Sequence, residues 1–318
     1  MVDIFFVISG LTILLIAGEA TLRGAIDLAR SLNVSPAVIG LTVVGFGTSL
    51  PELVVCIEAA IVGKPDFAVG NVIGSNISNT LLILGVGAMI RPLACDPRAV
   101  HRDGTMMLVA IAIIFILGVT GEIVAWQGLL LLLALAGFMG WSFFMDRRHH
   151  GPAAELHERE AENIPAAPAS GARTLFYVIA GLAGLTGGAN LLVDGAEGIA
   201  RSAGVPDYII GLTILAIGTS LPELFASISA ALRGHSDLAV ANVLGSNMFN
   251  VLGILGATSL VTTLPFAPEI QTIDLWVMAG SSVVLIPILI TGWRIARSEG
   301  ALLLAGYAGY IASIAYRL

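Results

Sequence analysis

Long apolar runs recur along the whole sequence, and they constrain its fold more than any other feature. Each is close to the length of about 17–25 residues that an α-helix needs to cross a bilayer. Of the 318 residues, 57% are hydrophobic and only 12% are charged, whereas soluble domains are about 25% charged. We therefore predict an integral membrane protein with ten membrane-spanning helices, at 3–22, 37–62, 67–89, 104–121, 125–145, 174–194, 208–232, 238–261, 273–292 and 300–316.

The first apolar run is predicted to be kept as a membrane helix. The opening MVDIFFVISG has neither a basic start nor a small-residue cleavage site, so it does not match a secretory signal peptide. Cys56 and Cys95 match no metal-binding or disulfide spacing and leave the redox compartment open.

The distribution of lysine and arginine predicts the orientation of the spans. With the N-terminus outside and ten alternating spans, twelve of the fifteen basic residues lie in inside segments, and Lys64, Arg201 and Arg317 lie outside. Basic residues favour the cytoplasmic side. We expect a multi-pass protein of the cell (inner) membrane with both termini outside and the loop at 146–173 in the cytoplasm.

An internal repeat relates the two halves. A shift of 171 positions places GLTVVGFGTSLPEL (40–53) on GLTILAIGTSLPEL (211–224) and DFAVGNVIGSNISNTLLILG (66–85) on DLAVANVLGSNMFNVLGILG (237–256), and 27 of 46 positions are identical over 40–85. Since each copy has five spans, an odd number, the second must enter the membrane from the opposite side. This predicts an all-α fold of two inverted five-helix repeats, 1–146 and 174–318, joined by a cytoplasmic connector at 147–173.

Each copy carries a proline and a glutamate inside an apolar run. Pro51 and Pro222 disturb the preceding helical turn and free backbone carbonyls, which a bilayer tolerates only where they face protein, water or an ion. One residue later come Glu52 and Glu223. An ionised carboxylate at this depth is costly, and no lysine or arginine lies in a helix core to pair with it. A cation is the natural partner, and the broken helices are expected near the midplane.

The neighbouring polar residues share helix faces with these features. Ser49 and Ser220 precede the glutamates by three positions, and the next span of each copy carries a serine and an asparagine four apart, Ser75 with Asn79 and Ser246 with Asn250. Oxygen donors of this kind suit Ca²⁺ or Na⁺. The alternative is a kinked helix with a protonated, structural glutamate, against which the duplication argues.

Other polar positions have structural interpretations. Asp66 and Asp237 are predicted as N-caps of the third and eighth helices. For Asn71 and Asn242 two roles stay open, bonding a helix break or joining neighbouring helices. Glu19 and Arg23, spaced i,i+4, predict a local ion pair.

The order of these motifs resembles a known family. GTSLPE followed by GNVIGSNISN, and again by ANVLGSNMFN, is similar to the paired repeats of the calcium/cation antiporter superfamily, especially its prokaryotic sodium/calcium exchangers. The resemblance implies ten helices, four of them broken around four cation sites in a diamond. It also implies that the long first and sixth helices slide against the rest to alternate access.

The resemblance also implies roles for individual residues. Glu52 and Glu223 would hold Ca²⁺ with the carbonyls of Thr48 and Thr219. The flanking Na⁺ sites would use four serines, Ser49, Ser75, Ser220 and Ser246, together with the backbone carbonyls of Gly45 and Ala216. Asn79 and Asn250 would border the middle site. Some sodium/calcium exchangers carry aspartate at the position of Asn250, which bears on the coupling ion, and the connector is too short for the regulatory calcium-binding domains of animal exchangers.

Several functions compete at this point. Antiport of Ca²⁺ against Na⁺ leads, and antiport of Ca²⁺ or another divalent cation against H⁺ is the alternative. An intramembrane hydrolase using Ser49 or Ser220 would need a general base, but all five histidines are predicted to lie in loops. A channel fits inverted symmetry less well than a transporter, and no phosphate-binding G-x-x-x-x-G-K-[ST] loop supports a primary pump. We expect no enzymatic activity, no cofactor, no nucleic-acid binding and no obligate protein partner; the bilayer and the transported ions are the partners.

Overall fold

The structure is a computed structural model that describes residues 2–32, 34–148, 171–203, 218–268 and 270–317. Most of the predicted connector, the first part of the span predicted at 208–232, and the site residue Ala216 lie outside these ranges.

The first half contains six helices and two short strands in its described part. They are α1 Val2–Leu32, α2 Pro36–Thr48, α3 Leu50–Ile61, α4 Pro65–Ile90, β1 Leu93–Ala94, α5 Pro97–Thr120, β2 Glu122–Ile123 and α6 Ala125–Arg148. The second half repeats this order from its long first helix: α7 Gly171–Ser202, α8 Leu221–Leu232, α9 Ser236–Val261, β3 Leu264–Pro265, α10 Ile270–Ile290, β4 Arg294–Ile295 and α11 Arg297–Arg317.

The described residues contain seven helices long and apolar enough to cross a membrane: α1, α4, α5, α6, α7, α9 and α10. The pair α2 and α3 forms an eighth span if it is counted as one bent segment. The predicted multi-pass, predominantly helical membrane protein is confirmed. The total of ten spans stays a prediction, because α8 has 12 residues and the 21-residue α11 does not belong to the seven.

Helices α1 and α7 are longer than the apolar runs that predicted them. The run at 3–22 continues as helix to Leu32. The predicted pair forms, with Arg23 Nε 2.9 Å from Glu19 Oε1. Polar side chains at helical spacing let α1 continue beyond its most apolar part, and this extension is invisible to a search for apolar runs alone.

Asp66 and Asp237 were predicted as N-caps, and this prediction was wrong by two positions in each helix. Helix α4 begins at Pro65 with Lys64 at the N-cap, and α9 begins at Ser236 with His235 there. Proline is well suited to the first helical position because its missing N–H has no intrahelical partner there. Asp66 and Asp237 therefore lie in the first helical turn, where a negative charge still interacts favourably with the helix dipole.

Helices α4 and α9 form the centre of the molecule. In the most apolar 18-residue window of α9 every residue is buried, and 72% are buried in that of α4, against 28–39% in the other five spans. These two helices carry the polar GSN sequences of both repeats. The polar groups of these sequences are thus carried by the two spans most removed from lipid, as membrane proteins require.

Two small antiparallel strand pairs connect the halves. Strand β1 pairs with β4, and β2 pairs with β3. Because β1 and β2 flank α5, while β3 and β4 flank α10, these pairings require α5 and α10 to run in opposite directions. The two helices occupy equivalent places in the repeat.

Each repeat also packs against the last helix of the other repeat. The C-terminal part of α4 packs on α11 of the second half, and the equivalent part of α9 packs on α6 of the first. Helices α1 and α7 pack mainly against each other. Their backbones approach closely: a side chain at Gly10 would lie 2.6 Å from the backbone nitrogen of Leu192.

Candidate ion-binding site

The first GTSLPE sequence forms a break between two helices. Helix α2 ends at Thr48, α3 begins at Leu50, and their axes differ by 41°. Ser49 lies between them with φ −87° and ψ 7°. Pro51 lacks the N–H that would continue the α-helical ladder, and this accounts for the break just before it.

The second copy has the same local backbone. Ser220 precedes α8 with φ −90° and ψ 4°. In each copy the backbone carbonyl of the serine accepts a hydrogen bond from the backbone amide four residues later. Leu53 N donates to Ser49 O at 3.2 Å, and Leu224 N donates to Ser220 O at 3.1 Å. Both glutamates consequently lie in the first turn of a new helix. The break is a property of the repeated sequence.

Hydrogen bonds bring the two copies together across the repeat. The Ser49 hydroxyl donates to Glu223 Oε1 at 2.7 Å. The Ser246 hydroxyl donates to the carbonyl oxygen of Gly45 at 3.2 Å. These four residues were predicted from separate parts of the sequence, and the fold places them in one buried cluster.

Both carboxylates are buried and close enough to interact electrostatically. Glu52 and Glu223 are each 1% exposed, and each lies within the other copy's polar surroundings. Thr219 lies beside Glu52, although its hydroxyl has no hydrogen bond of good geometry with the described residues. No ion pair found within the described ranges involves either glutamate.

Neutral oxygen donors surround the carboxylates. Ser49, Ser75, Ser220, Ser246, Thr48, Asn79 and Asn250 are all at most 3% exposed. Several buried polar atoms have no hydrogen-bond partner within the described part of the chain: Oε2 of both glutamates, Oγ of Ser75 and Ser220, and both amide atoms of Asn79 and Asn250. Buried polar atoms normally have partners. Carboxylate, hydroxyl and amide oxygens are the donors that hard cations such as Ca²⁺ and Na⁺ take.

Helix α9 approaches the first copy closely beside this cluster. A side chain at Gly245 would collide with the backbone carbonyl of Leu41. The absence of a side chain allows the next residue, Ser246, to reach Gly45 of α2.

Asn79 and Asn250 lie where the central helices change their winding. One turn of π-helix covers Asn79–Ile83 in α4 and Phe249–Ile254 in α9. Such turns are rare and often occur at functional sites because they redirect side chains and backbone carbonyls.

The alternatives left open for Asn71 and Asn242 can now be decided. Asn71 Nδ2 donates to Cys56 Sγ at 3.5 Å, and Asn242 Nδ2 donates to Ser227 Oγ at 3.0 Å. Cys56 and Ser227 are equivalent in the repeat. Both asparagines therefore join neighbouring helices within their own half, and Asn242 Nδ2 also donates to the backbone carbonyl of Glu223, in the first turn after the helix break, at 3.4 Å.

Sequence reasoning missed one buried polar contact close to the site. Asn247 Nδ2 donates to Thr80 Oγ1 at 3.0 Å, and both residues are fully buried. The signal was present, because Asn76 and Asn247 are identical in the two GSN sequences, but the contact joins residues 167 positions apart.

Known proteins share the sequence of this chain over nearly its whole length. The family model described as sodium/calcium exchanger protein matches residues 2–144 and 173–316, which is nearly the whole chain and both repeats. The chain belongs to the sodium/calcium exchanger family. This member is 36% identical to the putative antiporter CaxA of Alkalimonas amylolytica over 98% of both chains. It is 31% identical to the sodium/calcium exchanger MaX1 of Methanosarcina acetivorans over 99% of both chains.

The fold of this family member matches a solved exchanger. Its similarity to the sodium-calcium exchanger NCX_Mj, in a structure soaked with 2.5 mM Na⁺ and 10 mM Sr²⁺, has a TM-score of 0.85 at 32% identity and covers 98% of this chain and 99% of that one. The named relatives are thus two sodium/calcium exchangers and a putative antiporter.

Proposed function

We propose that this protein is a secondary active antiporter that exchanges Ca²⁺ for Na⁺ by alternating access. The observation that carries the proposal is the buried contact between the two repeats, in which Ser49 donates to Glu223 at 2.7 Å while Glu52 lies close by. Two carboxylates neutralise one divalent ion, and the same pair accepts monovalent ions in exchange. The relative MaX1, which matches this chain over 99% of both lengths, is named as a sodium/calcium exchanger.

The proposed architecture is ten spans in two inverted repeats, 1–146 and 174–318, with the connector at 147–173 between them. The antiparallel course of α5 and α10 supports it, as do the reciprocal strand pairs β1 with β4 and β2 with β3. An inverted repeat allows the same site to open to either side when one repeat rearranges against the other.

The proposed ligands follow the repeat. Glu52 and Glu223 hold Ca²⁺ with the backbone carbonyls of Thr48 and Thr219. The flanking Na⁺ positions are formed by four serines, Ser49, Ser75, Ser220 and Ser246, together with the backbone carbonyls of Gly45 and Ala216. The middle position is bordered by Asn79 and Asn250. The buried atoms of this set that lack partners within the described ranges support the assignment.

The proposed location is the cell (inner) membrane with both termini outside. Glu19 of α1 contacts Arg233 at the end of α8, and Arg91 lies against Gly234. The inside segments predicted from basic residues thus lie together, which supports one common cytoplasmic side.

Antiport against H⁺ is the second candidate, and the two neutral asparagines favour it. With Asn at both 79 and 250, the described cluster has two carboxylates and no third. Three Na⁺ would leave a net positive charge in a low-dielectric site, whereas two protons would leave it neutral.

Proteoliposomes separate the two candidates. ⁴⁵Ca²⁺ uptake is measured under an outward Na⁺ gradient without a pH gradient, and under a pH gradient without Na⁺. We expect uptake with Na⁺ alone. Uptake with the pH gradient alone would instead establish H⁺ coupling, and failure of both gradients would reject Ca²⁺ antiport.

A further inference from the structure

The two repeats differ on both sides of the asparagine near the start of each π-helical turn, which is the first residue of the turn in the first copy (Asn79) and the second residue in the second copy (Asn250). The first copy reads GSNISNT at 74–80 and the second reads GSNMFNV at 245–251. Ser78 and Thr80 therefore flank Asn79, whereas Phe249 and Val251 flank Asn250. The first copy carries two hydroxyls that the second lacks.

Both extra hydroxyls make hydrogen bonds to the second repeat. Thr80 Oγ1 accepts from Asn247 Nδ2 of α9 at 3.0 Å, and Thr80 and Asn247 are fully buried. Ser78 Oγ donates to the Tyr307 hydroxyl of α11 at 3.2 Å, with Ser78 only 5% and Tyr307 9% exposed. A buried hydroxyl would be costly without a partner, so these bonds explain why polar residues are tolerated here.

The two bonds restrain α4 on nearly opposite sides. Successive helical residues are rotated by about 100°, so Ser78 and Thr80 point roughly 200° apart with Asn79 between them. The π-helical turn starts at Asn79, where the regular ladder changes. Two restraints on opposite sides fix the rotation of this segment about its own axis.

Asn79 itself is not held by its side chain. Neither amide atom has a hydrogen-bond partner within the described residues, although Asn79 is only 1% exposed. The direction of this side chain therefore depends on the backbone that carries it. Asn250 lacks comparable restraints: Phe249 packs on Phe46 with ring centroids 4.0 Å apart, and Val251 has no polar atom in its side chain.

We propose that Ser78 and Thr80 are positioning residues that hold Asn79 in the direction needed to contact the transported ion. The proposal rests on the proposed function and deepens it. Through these two residues, the second repeat fixes the direction of Asn79, which is an ion ligand that the first repeat contributes. Asn250, whose neighbours Phe249 and Val251 carry no hydroxyl, is the less rigidly directed of the two asparagines.

The test is the Ca²⁺ dependence of transport in Thr80→Val, which removes the hydroxyl at nearly constant volume and copies the second repeat. We expect the half-saturating Ca²⁺ concentration to rise roughly three- to tenfold, the effect of losing one neutral hydrogen bond, with a nearly unchanged maximal rate. Ser78→Ala should act in the same direction, and Thr80→Ser, which keeps the hydroxyl, should resemble the wild type. Thr258→Val is the matched control, because Thr258 is equally buried and its hydroxyl bonds to none of the described residues.

Repeating the Thr80→Val substitution in a variant that lacks the Asn79 amide separates a positioning role from a purely structural one. In Asn79→Ala there is no amide left to direct, so adding Thr80→Val should change half-saturation no further. The same rise in both backgrounds would overturn the proposal. So would a lower unfolding temperature with unchanged half-saturation, which would assign the hydroxyls a structural role only.

The same set of variants distinguishes this proposal from the function on which it rests. If Asn79→Ala is silent while Glu223→Gln is impaired, the positioning role fails and antiport stands. If Glu223→Gln is also unimpaired, the proposed ion site itself fails.

Discussion

Glu52 and Glu223 are the residues on which the proposed transport chemistry depends. Each is 1% exposed, and within the described ranges each has a carboxylate oxygen without a hydrogen-bond partner. A buried carboxylate that remains ionised needs a compensating charge. A transported cation can supply that charge in each half of the cycle, and a permanently bound arginine or lysine would compete with it.

Glu223→Gln removes one of the two charges while keeping the size of the side chain and the acceptor for Ser49. The loss of a charge-assisted contact to a divalent ion should cost at least ~2–3 kcal/mol, or about 30-fold or more in Ca²⁺ affinity. ⁴⁵Ca²⁺ flux against Ca²⁺ concentration measures it, with the exposed Glu58→Gln as a control expected to be nearly silent. Robust exchange by Glu223→Gln at low Ca²⁺ would remove this residue from the ion site.

Asn250→Asp tests the position where this chain departs from some exchangers. A third carboxylate beside two others is stabilised only by an additional proton or cation. We expect transport to become more sensitive to pH and its dependence on Na⁺ to steepen. Initial Ca²⁺ flux against Na⁺ concentration at two pH values is the measurement, and superimposable curves for mutant and wild type would show that Asn250 does not line the ion path.

At the scale of helices, the site depends on helix breaks that the repeat specifies twice and on the close approach of α9 to α2. Ser49 and Ser220 have nearly the same backbone angles just before α3 and α8. The contact between α2 and α9 has a different origin, because it requires a glycine at 245 facing the Leu41 carbonyl. The broken helices present the polar groups, and the glycine lets the two repeats come close enough to share them.

Gly245→Ala should weaken transport even though alanine favours helix formation by about 1 kcal/mol. Its methyl group collides with the Leu41 carbonyl, which moves Ser246 away from Gly45. We expect Ca²⁺ uptake to fall by at least tenfold, equivalent to about 1.4 kcal/mol. The control is Gly280→Ala on α10, where an added Cβ meets nothing within 4 Å. Equal activities of the two variants would mean that this close approach does not set the site.

At the scale of the whole molecule, the two halves are joined by reciprocal contacts. The strand pairs β1 with β4 and β2 with β3 lie at opposite ends of α5, and equivalent ends of α4 and α9 pack on the last helix of the other half. Since each half needs the other to complete its packing and its site, neither five-helix unit is expected to function alone.

The orientation can be tested with membrane-impermeant thiol reagents in intact cells. A cysteine appended after Leu318 should react, whereas His157→Cys should be protected, because positive-inside counting places the connector in the cytoplasm. The reverse pattern would overturn the orientation.

The native cysteines should not interfere with this measurement. Cys56 is fully buried, and Cys95 is 8% exposed. Burial, with a smaller contribution from Asp237, raises the pKa of Cys95 to about 12. Only the thiolate reacts, so at neutral pH Cys95 stays protonated and unreactive, and it would become reactive only as the pH rose towards that pKa. Labelling of the otherwise unmodified protein measures this background.

The sequence by itself determined the features that are local or that recur. Apolar runs of bilayer length predicted the spans, and the order GTSLPE then GSN, present twice, predicted the repeat and the family. Pro51 and Pro222 placed the helix breaks because proline acts on its own turn. The carboxylates, serines and asparagines of the candidate site followed from the same repetition, whereas Gly45 was implied only by the family resemblance.

Only the tertiary structure decided the features that depend on residues far apart in the chain. The strand pairs β1 with β4 and β2 with β3 are two residues long in each strand, too short to leave a periodic signal. The extensions of α1 and α7 are stabilised by polar contacts that apolar runs do not report. The choice of Thr80 as partner of Asn247 depends on how α9 packs against α4. The physical reason is the same in each case: backbone propensity and hydropathy act over a few residues, whereas buried hydrogen bonds are selected by whichever groups packing brings together.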